Sequence, residues 1–159
     1  MRKAHREDGE VPERASLFLW KGAKMLEIIN TTTQTVAAGG KVEFTSATIR
    51  DRLGRIVYNT ESDAVIVNAP GIYRMDVVLN LANTTDAAVD TTIQLQANGS
   101  AVAGAAAQVT VPATGYAQVV ISKTFRVIPA ATGTRLALSL VSTTGATVDT
   151  AIADVFKRV

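Results

Sequence analysis

Side-chain catalysis needs a few reactive groups held close together, and this chain carries few of them. Of its 159 residues one is histidine, none is cysteine, and fourteen are aspartate or glutamate. A disulfide framework, a thiolate nucleophile and a cysteine-ligated metal are therefore excluded, and one imidazole does not make a soft-metal site. His5 stands within MRKAHREDGEVPER, where nothing would hold it against a partner, so it reads as a solvated side chain rather than a general base. Carboxylates are what remains. Asp86 and Asp90 flank the loop LANTTDAAVDTT and could offer oxygen ligands to Ca²⁺. No denser ligand set surrounds them, and two loop acids facing water is the simpler reading. Asp63, Asp76, Asp149 and Asp154 are scattered along the chain. Arg50, Arg52 and Arg55 gather around Asp51, which suggests an anion site, but a solvated loop with local ion pairs is expected because exposed charges rarely do more. The phosphate-cradling, zinc-protease and serine-hydrolase motifs are all missing from the sequence. Asn30-Thr-Thr, Asn83-Thr-Thr and Asn98-Gly-Ser match the glycosylation triplet, as a Thr-rich chain does by chance. These residues point to no enzyme, no cofactor and no metal.

The elements that would position such groups are strands. The clearest stretch is VIVNAPGIYRMDVVLNL, Val65 to Leu81. A strand leads into a turn at Ala69-Pro70-Gly71, where proline fixes φ and glycine admits positive φ. Beyond it Tyr73, Met75, Val77 and Leu79 share one face while Arg74, Asp76 and Asn80 share the other, with Val78 the exception. A period of two marks a half-buried strand.

Hydrophobic residues make up 47% of the chain but aromatics only 5%, so the core is aliphatic and rich in small side chains. A lone subunit of this kind is marginal, and assembly would supply the missing burial. A net charge of +2, with no aromatics interleaved among the basic residues, argues against a nucleic-acid partner. The charged start is unlike a signal peptide, and the apolar run Leu17 to Trp20 is far short of the roughly 20 residues that span a bilayer. Cytosolic synthesis without membrane insertion is the expectation.

In chain order, residues 1–14 balance four positive against four negative charges and lack apolar surface, so disorder in isolation is expected. ASLFLWKGAKMLEIIN follows. Leu17, Phe18, Leu19 and Trp20 form an apolar cluster that is either a first element packed on the protein's own core or a docking peptide on a charged tether. Only Ala15 to Ile29 carries a trace of helical period. From Met25 onward come MLEII, TTTQTVAAGG, KVEFTSATIR with Val42 and Phe44 on one face, and DRLGRIVYN with a turn near Leu53-Gly54. After the central stretch, TTIQLQANGSAVAG is a hairpin, since Asn-Gly is the strongest short hairpin signal. Pro112 to Gly115 and Pro129 to Gly133 punctuate two further strands. Leu136, Leu138 and Leu140 alternate in the next, and in the last Val155 is the final inward candidate beside Ile152 or Ala153. Eight to ten short strands without intervening helices predict an antiparallel sandwich or jelly roll.

The turn-strand at Ala69 to Tyr73, the hairpin at Leu95 to Gly99, the Leu-alternating strand and a closing strand at the terminus occur in an order and spacing that resemble the C1q/TNF-like jelly-roll domain over roughly residues 26–159. The resemblance implies an all-β, ten-stranded antiparallel sandwich that forms a compact homotrimer, with residues 1–25 as a separate arm and anchoring segment. For such a trimer Tyr73, Phe125 and Phe156 are the best large candidates for the trimer interface or the core, ordinary core being the simpler reading of each. Small Ala- and Thr-rich versions are similar to trimeric knobs on bacteriophage virions and bacterial spore surfaces. A charged arm with an apolar peptide before the knob resembles phage head fibers and capsid decoration proteins. Two functions follow as expectations. One is a structural virion protein, made in the bacterial cytoplasm and fixed to a capsid or other virion protein through Leu17, Phe18, Leu19 and Trp20, its outer loops available to host-surface glycans. The other is a free trimeric lectin- or adhesin-like module for carbohydrate or a protein receptor.

Overall fold

Alternating sequences form strands here almost throughout. The computed structural model describes residues 24–131, 133 and 135–158, and among them every regular element is a strand. In order these are β1 (Met25–Asn30), β2 (Gln34–Val36), β3 (Gly40–Lys41), β4 (Ser46–Ile49), β5 (Ile56–Asn59), β6 (Ala64–Val67), β7 (Gly71–Ala82), β8 (Val89–Ala97), β9 (Ser100–Val111), β10 (Tyr116–Val127), β11 (Leu136–Ser142) and β12 (Ala146–Lys157). The twelve exceed the eight to ten read from the sequence because β2 and β3, of three and two residues, are too short to show a period. Residues 25–29, within the stretch of faint helical period, are strand.

The strands form two sheets with antiparallel pairing throughout. One runs β10-β7-β12-β1-β4 with β2 beside β12, and the other runs β5-β6-β11-β8-β9 with β3 beside β11. The sheets pack face to face as a sandwich. Its core is the inward row of β7, namely Tyr73, Met75, Val77, Leu79 and Leu81, set against Ile93 and Leu95 of β8 and Leu138 and Leu140 of β11. Small residues have a place in this core. Ala151 and Ala153 of β12 stand directly opposite Leu79 and Val77 of β7 and are fully buried. The register slips between Val148 and Thr150, which turns both Val148 and Ala151 inward.

The Ala69-Pro70-Gly71 turn does more than join neighbours. It carries the chain out of one sheet at β6 and into the other at β7. Gly71 sits at φ +149, a conformation other residues avoid. The Tyr73 hydroxyl donates to the Ala69 carbonyl oxygen at 2.8 Å, tying the crossing to the first inward side chain of β7. The β8–β9 turn is the hairpin expected at Asn98-Gly99, with φ of +49 and +81. Asn98 also accepts from the Ala137 N–H at 2.9 Å, pinning the hairpin to β11.

Along one long side the sheet edges β9 and β10 lie against each other without a hydrogen-bonded ladder between them. On the opposite side the edges β4 and β5 leave a cleft. Removing only the hydroxyl of Tyr73 tests the crossing. Tyr73→Phe should cost about 1 kcal/mol and Tyr73→Ala about 3–5 kcal/mol, read as shifts of the urea unfolding midpoint. Equal losses in the two variants would mean that the hydrogen bond, not the packing, carries the position.

Candidate functional site

Because side chains alternate across a sheet, the residues of β7 that do not enter the core must line its outer face. In the β10-β7-β12-β1 sheet they form rows running across the strands. One row is apolar: Val120, Val78, Ile152 and Ile29 stand side by side. Val120 is 58% exposed and Ile152 45% exposed, high values for large aliphatic side chains. A second row is Thr124, Arg74, Phe156 and Met25. Between them runs Ser122, Asp76, Asp154 and Glu27. The outer side of the other sheet has an aliphatic row at Val57, Ile66 and Ala137, with Ile66 buried and the other two half-buried, but is different along β8 and β9. The paired positions there are Asp90 with Thr110, Thr92 with Gln108, and Gln94 with Ala106. An apolar row with two exposed members on one sheet, against polar pairs along β8 and β9 on the other, makes the first face the candidate assembly surface.

The three candidate aromatics are divided by the structure. Tyr73 is fully buried within the subunit, with Lys157 Nζ 5.9 Å from its ring centroid. Phe125 also points inward, stacked on Tyr73 with centroids 6.0 Å apart. Phe156 alone is on the outer face, between Arg74 and Met25 and half-buried. Leu17, Phe18, Leu19, Trp20 and His5 lie outside the described residues. Val120, Ile152 and Ile29 were missed as surface candidates. Their signal was the apolar side chain of the wrong parity: Val120 between Val119 and Ile121, and Ile152 between Ala151 and Ala153, the same departure that Val78 makes in β7.

The carboxylates are less scattered than their spacing suggests. Asp76, Asp154 and Glu27 meet on adjacent strands. Asp76 accepts from Ser122 Oγ at 2.5 Å and from Arg74 Nε at 2.9 Å. Glu27 accepts from Thr48 Oγ1. Asp154 Oδ1 is buried with no hydrogen-bond partner. Its carboxyl is pushed up to about 6, chiefly by burial, then by the charge of Glu27, a hydrogen bond shared with it, and the charge of Asp76. By contrast Asp90 is exposed and accepts from Thr110 Oγ1 at 2.6 Å, and Asp86 is exposed. Among the described residues no three His, Asp or Glu side chains are grouped to hold a metal.

The Arg50–Arg55 loop has the expected local ion pair and exposed arginines at 50 and 52, and differs only in burying Asp51. Asp51 is buried, receives Arg55 Nη2 at 2.8 Å and Nε at 3.0 Å, and accepts the Leu53 and Arg55 backbone N–H groups. Burial alone would raise its pKa, but these bonds and the Arg55 charge outweigh burial and hold the carboxyl below its ordinary value. Asn30 and Asn83, two of the three triplet asparagines, are buried, and the Asn83 amide donates to the Ala87 and Pro112 carbonyls. The cleft between β4 and β5 has a volume of about 420 Å³ and is lined by Leu26, Phe44, Ser46, Arg50, Tyr58 and Thr60 among others. Phe44 and Tyr58 meet edge to face at 5.7 Å, and the Tyr58 hydroxyl accepts the Phe44 N–H at 2.9 Å. Burial, foremost, pushes that phenol up to about 12.

No protein-family model matches the sequence, and no curated protein does. Solved structures do match the fold. The globular domain of zebrafish complement 1qA protein is 10% identical, with 86% of this chain and 98% of that one covered at a TM-score of 0.57. Murine APRIL is 13% identical, covering 84% and 98% at 0.58, and the Eiger TNF of S. frugiperda is 13% identical, covering 87% and 94% at 0.58. The chain has the C1q/TNF-like jelly-roll fold. At these identities the likeness concerns the fold alone.

The Asp154 environment carries a pH prediction. Its folded pKa lies above the ordinary 3.8, so the folded state binds the proton more tightly and loses stability as pH rises through about 4 to 6. Stability should therefore rise on acidification across that window. Asp154→Asn should stabilise the domain at pH 7.5 by about 1 kcal/mol, after discounting for partial solvent screening. Urea unfolding at pH 4.5, 6.0 and 7.5 checks this, and a variant with the wild-type slope across those pH values would refute the assignment.

Proposed function

We propose that this jelly roll is a structural, non-enzymatic protein: the knob of a homotrimer, carried on a phage capsid or other virion particle by residues 1–25. On this reading three copies meet through the outer face of the β10-β7-β12-β1 sheet, and Leu17, Phe18, Leu19 and Trp20 insert into the particle. The observation that carries the self-association is the apolar row Val120, Val78, Ile152 and Ile29, in which Val120 and Ile152 are exposed and Val78 and Ile29 half-buried. Each large aliphatic moved out of water there contributes about 1–2 kcal/mol. The face is also of about the right size. Three strands of about 40 Å and the shorter β1, about 4.8 Å apart, present roughly 700 Å², close to the area each partner gives to a standard interface. The virion setting is supported by the charged arm and apolar peptide preceding the knob, and by the resemblance to head fiber and decoration proteins; synthesis in the bacterial cytoplasm belongs to the same reading. A second reading, a free module for host-surface glycan or a protein receptor, is favoured by the mixed aromatic and polar lining of the β4–β5 cleft.

The test is the mass in solution, by light scattering, of the full chain, of a chain lacking residues 1–22, and of Ile152→Arg. The expected result is that the first two are trimers and the third is a monomer with an unchanged circular dichroism spectrum. The shortened chain should no longer join the particle. A monomeric shortened chain would place the arm in the subunit interface and remove it as a tether. Glycan binding retained by the shortened trimer would favour the second reading.

A further inference from the structure

Glu27, Asp154 and Asp76 stand directly opposite one another on three neighbouring strands, with Glu27 against Asp154 and Asp154 against Asp76. Like charges in opposed positions repel across a sheet, and the surroundings relieve the outer two of these but not the middle one. From β7 come Asp76 and Arg74, and Arg74 Nε contacts both Asp76 oxygens, at 2.9 and 3.0 Å. From β1 comes Glu27, and behind it Thr48 of β4 donates to Glu27. From β10 Ser122 donates to Asp76. On β12 itself the same-face neighbours of Asp154 are Ile152 and Phe156, which bring no charge. Asp154 is thus left with carboxyls on both sides and a buried oxygen without a donor. A proton shared between the Asp154 and Glu27 carboxyls satisfies both.

This row lies inside the face proposed above as the subunit contact, one step along the strands from the apolar row. A neighbouring copy would remove the water that still solvates the charged form, and a carboxylate deprived of water takes up a proton. We propose that self-association through this face is linked to proton uptake by Asp154, the middle carboxyl of the Glu27–Asp154–Asp76 row, so that copies of the chain associate more tightly as the solution is acidified from pH 7.5 to 5.5. The inference rests on the outer face being the subunit contact. Each proton taken up per association event changes the association constant tenfold per pH unit above about pH 6, where Asp154 of the free subunit is ionised, and by less below it.

Sedimentation equilibrium of the full chain across a concentration series at pH 5.5, 6.5 and 7.5 tests it. The association constant of the wild type should rise at least about tenfold between pH 7.5 and 5.5. Asp154→Asn, which keeps the shape and removes the charge, should associate at pH 7.5 as tightly as the wild type does at pH 5.5. Its own dependence on pH should shrink to within about twofold. Glu27→Gln stands in if Asp154→Asn does not fold by circular dichroism. Ile152→Arg, which adds no acid, should abolish association at every pH. A wild-type constant that is flat or falls on acidification overturns proton linkage while leaving the contact face intact. An Ile152→Arg chain that associates like the wild type overturns the face itself, and the inference with it.

Discussion

One backbone register constrains both faces of this protein. β7 is paired along its whole length with β10 on one side and along most of it with β12 on the other. Its inward side chains are the largest part of the core, and they alternate with residues that must stay outside. A slip of one residue would bury Arg74, Asp76 and Asn80 and expose Tyr73, Met75 and Leu79. The penalty for burying unpaired charge sets that register far more firmly than strand propensity does. The bond from the Tyr73 hydroxyl to Ala69 then fixes where along the crossing the register begins. Rows of outward side chains on β10, β12 and β1 inherit their alignment from this one decision.

The aliphatic, Ala-rich composition acquires a definite meaning in that setting. Ala151 and Ala153 leave room on β12 for Leu79 and Val77 beside them, so the small residues complement large ones rather than thinning the core evenly. The cost appears on the other side of the same strand. Ile152 alternates with those alanines and is turned to solvent, and Val78 and Val120 are its lateral neighbours. A sequence selected only for a soluble monomer would place polar residues there, as the outer side of the β8–β9 sheet does with Thr92, Gln94 and Gln108.

What the sequence disclosed was local. Alternation in β7, the proline and glycine of the crossing, and Asn98-Gly99 are properties of a few adjacent residues, and each was legible without knowing what pairs with what. The jelly-roll class followed from their order. The candidate face was legible only as an anomaly, Val78 out of phase. Asp76 and Asp154 are separated by most of the molecule's later strands, and nothing local indicates that β7 and β12 become neighbours. Their meeting, and that of Glu27 with them, is a consequence of topology. The aromatic candidates fared unevenly for the same reason: size marks a side chain for burial, but parity decides whether it faces the core, as Tyr73 and Phe125 do, or the outer surface, as Phe156 does.

The edges of the sandwich carry a consequence for crowding. The long strands β9 and β10 lie against each other, while the strands bordering the open side, β4 and β5, have only four residues each. An edge that short offers an incoming strand few free N–H and C=O groups, too few to template a growing ladder. On that side, copies held close together at high local concentration therefore have little means of pairing edge to edge. Contact through a sheet face can end in a closed assembly, whereas contact through long open edges propagates into a fibre.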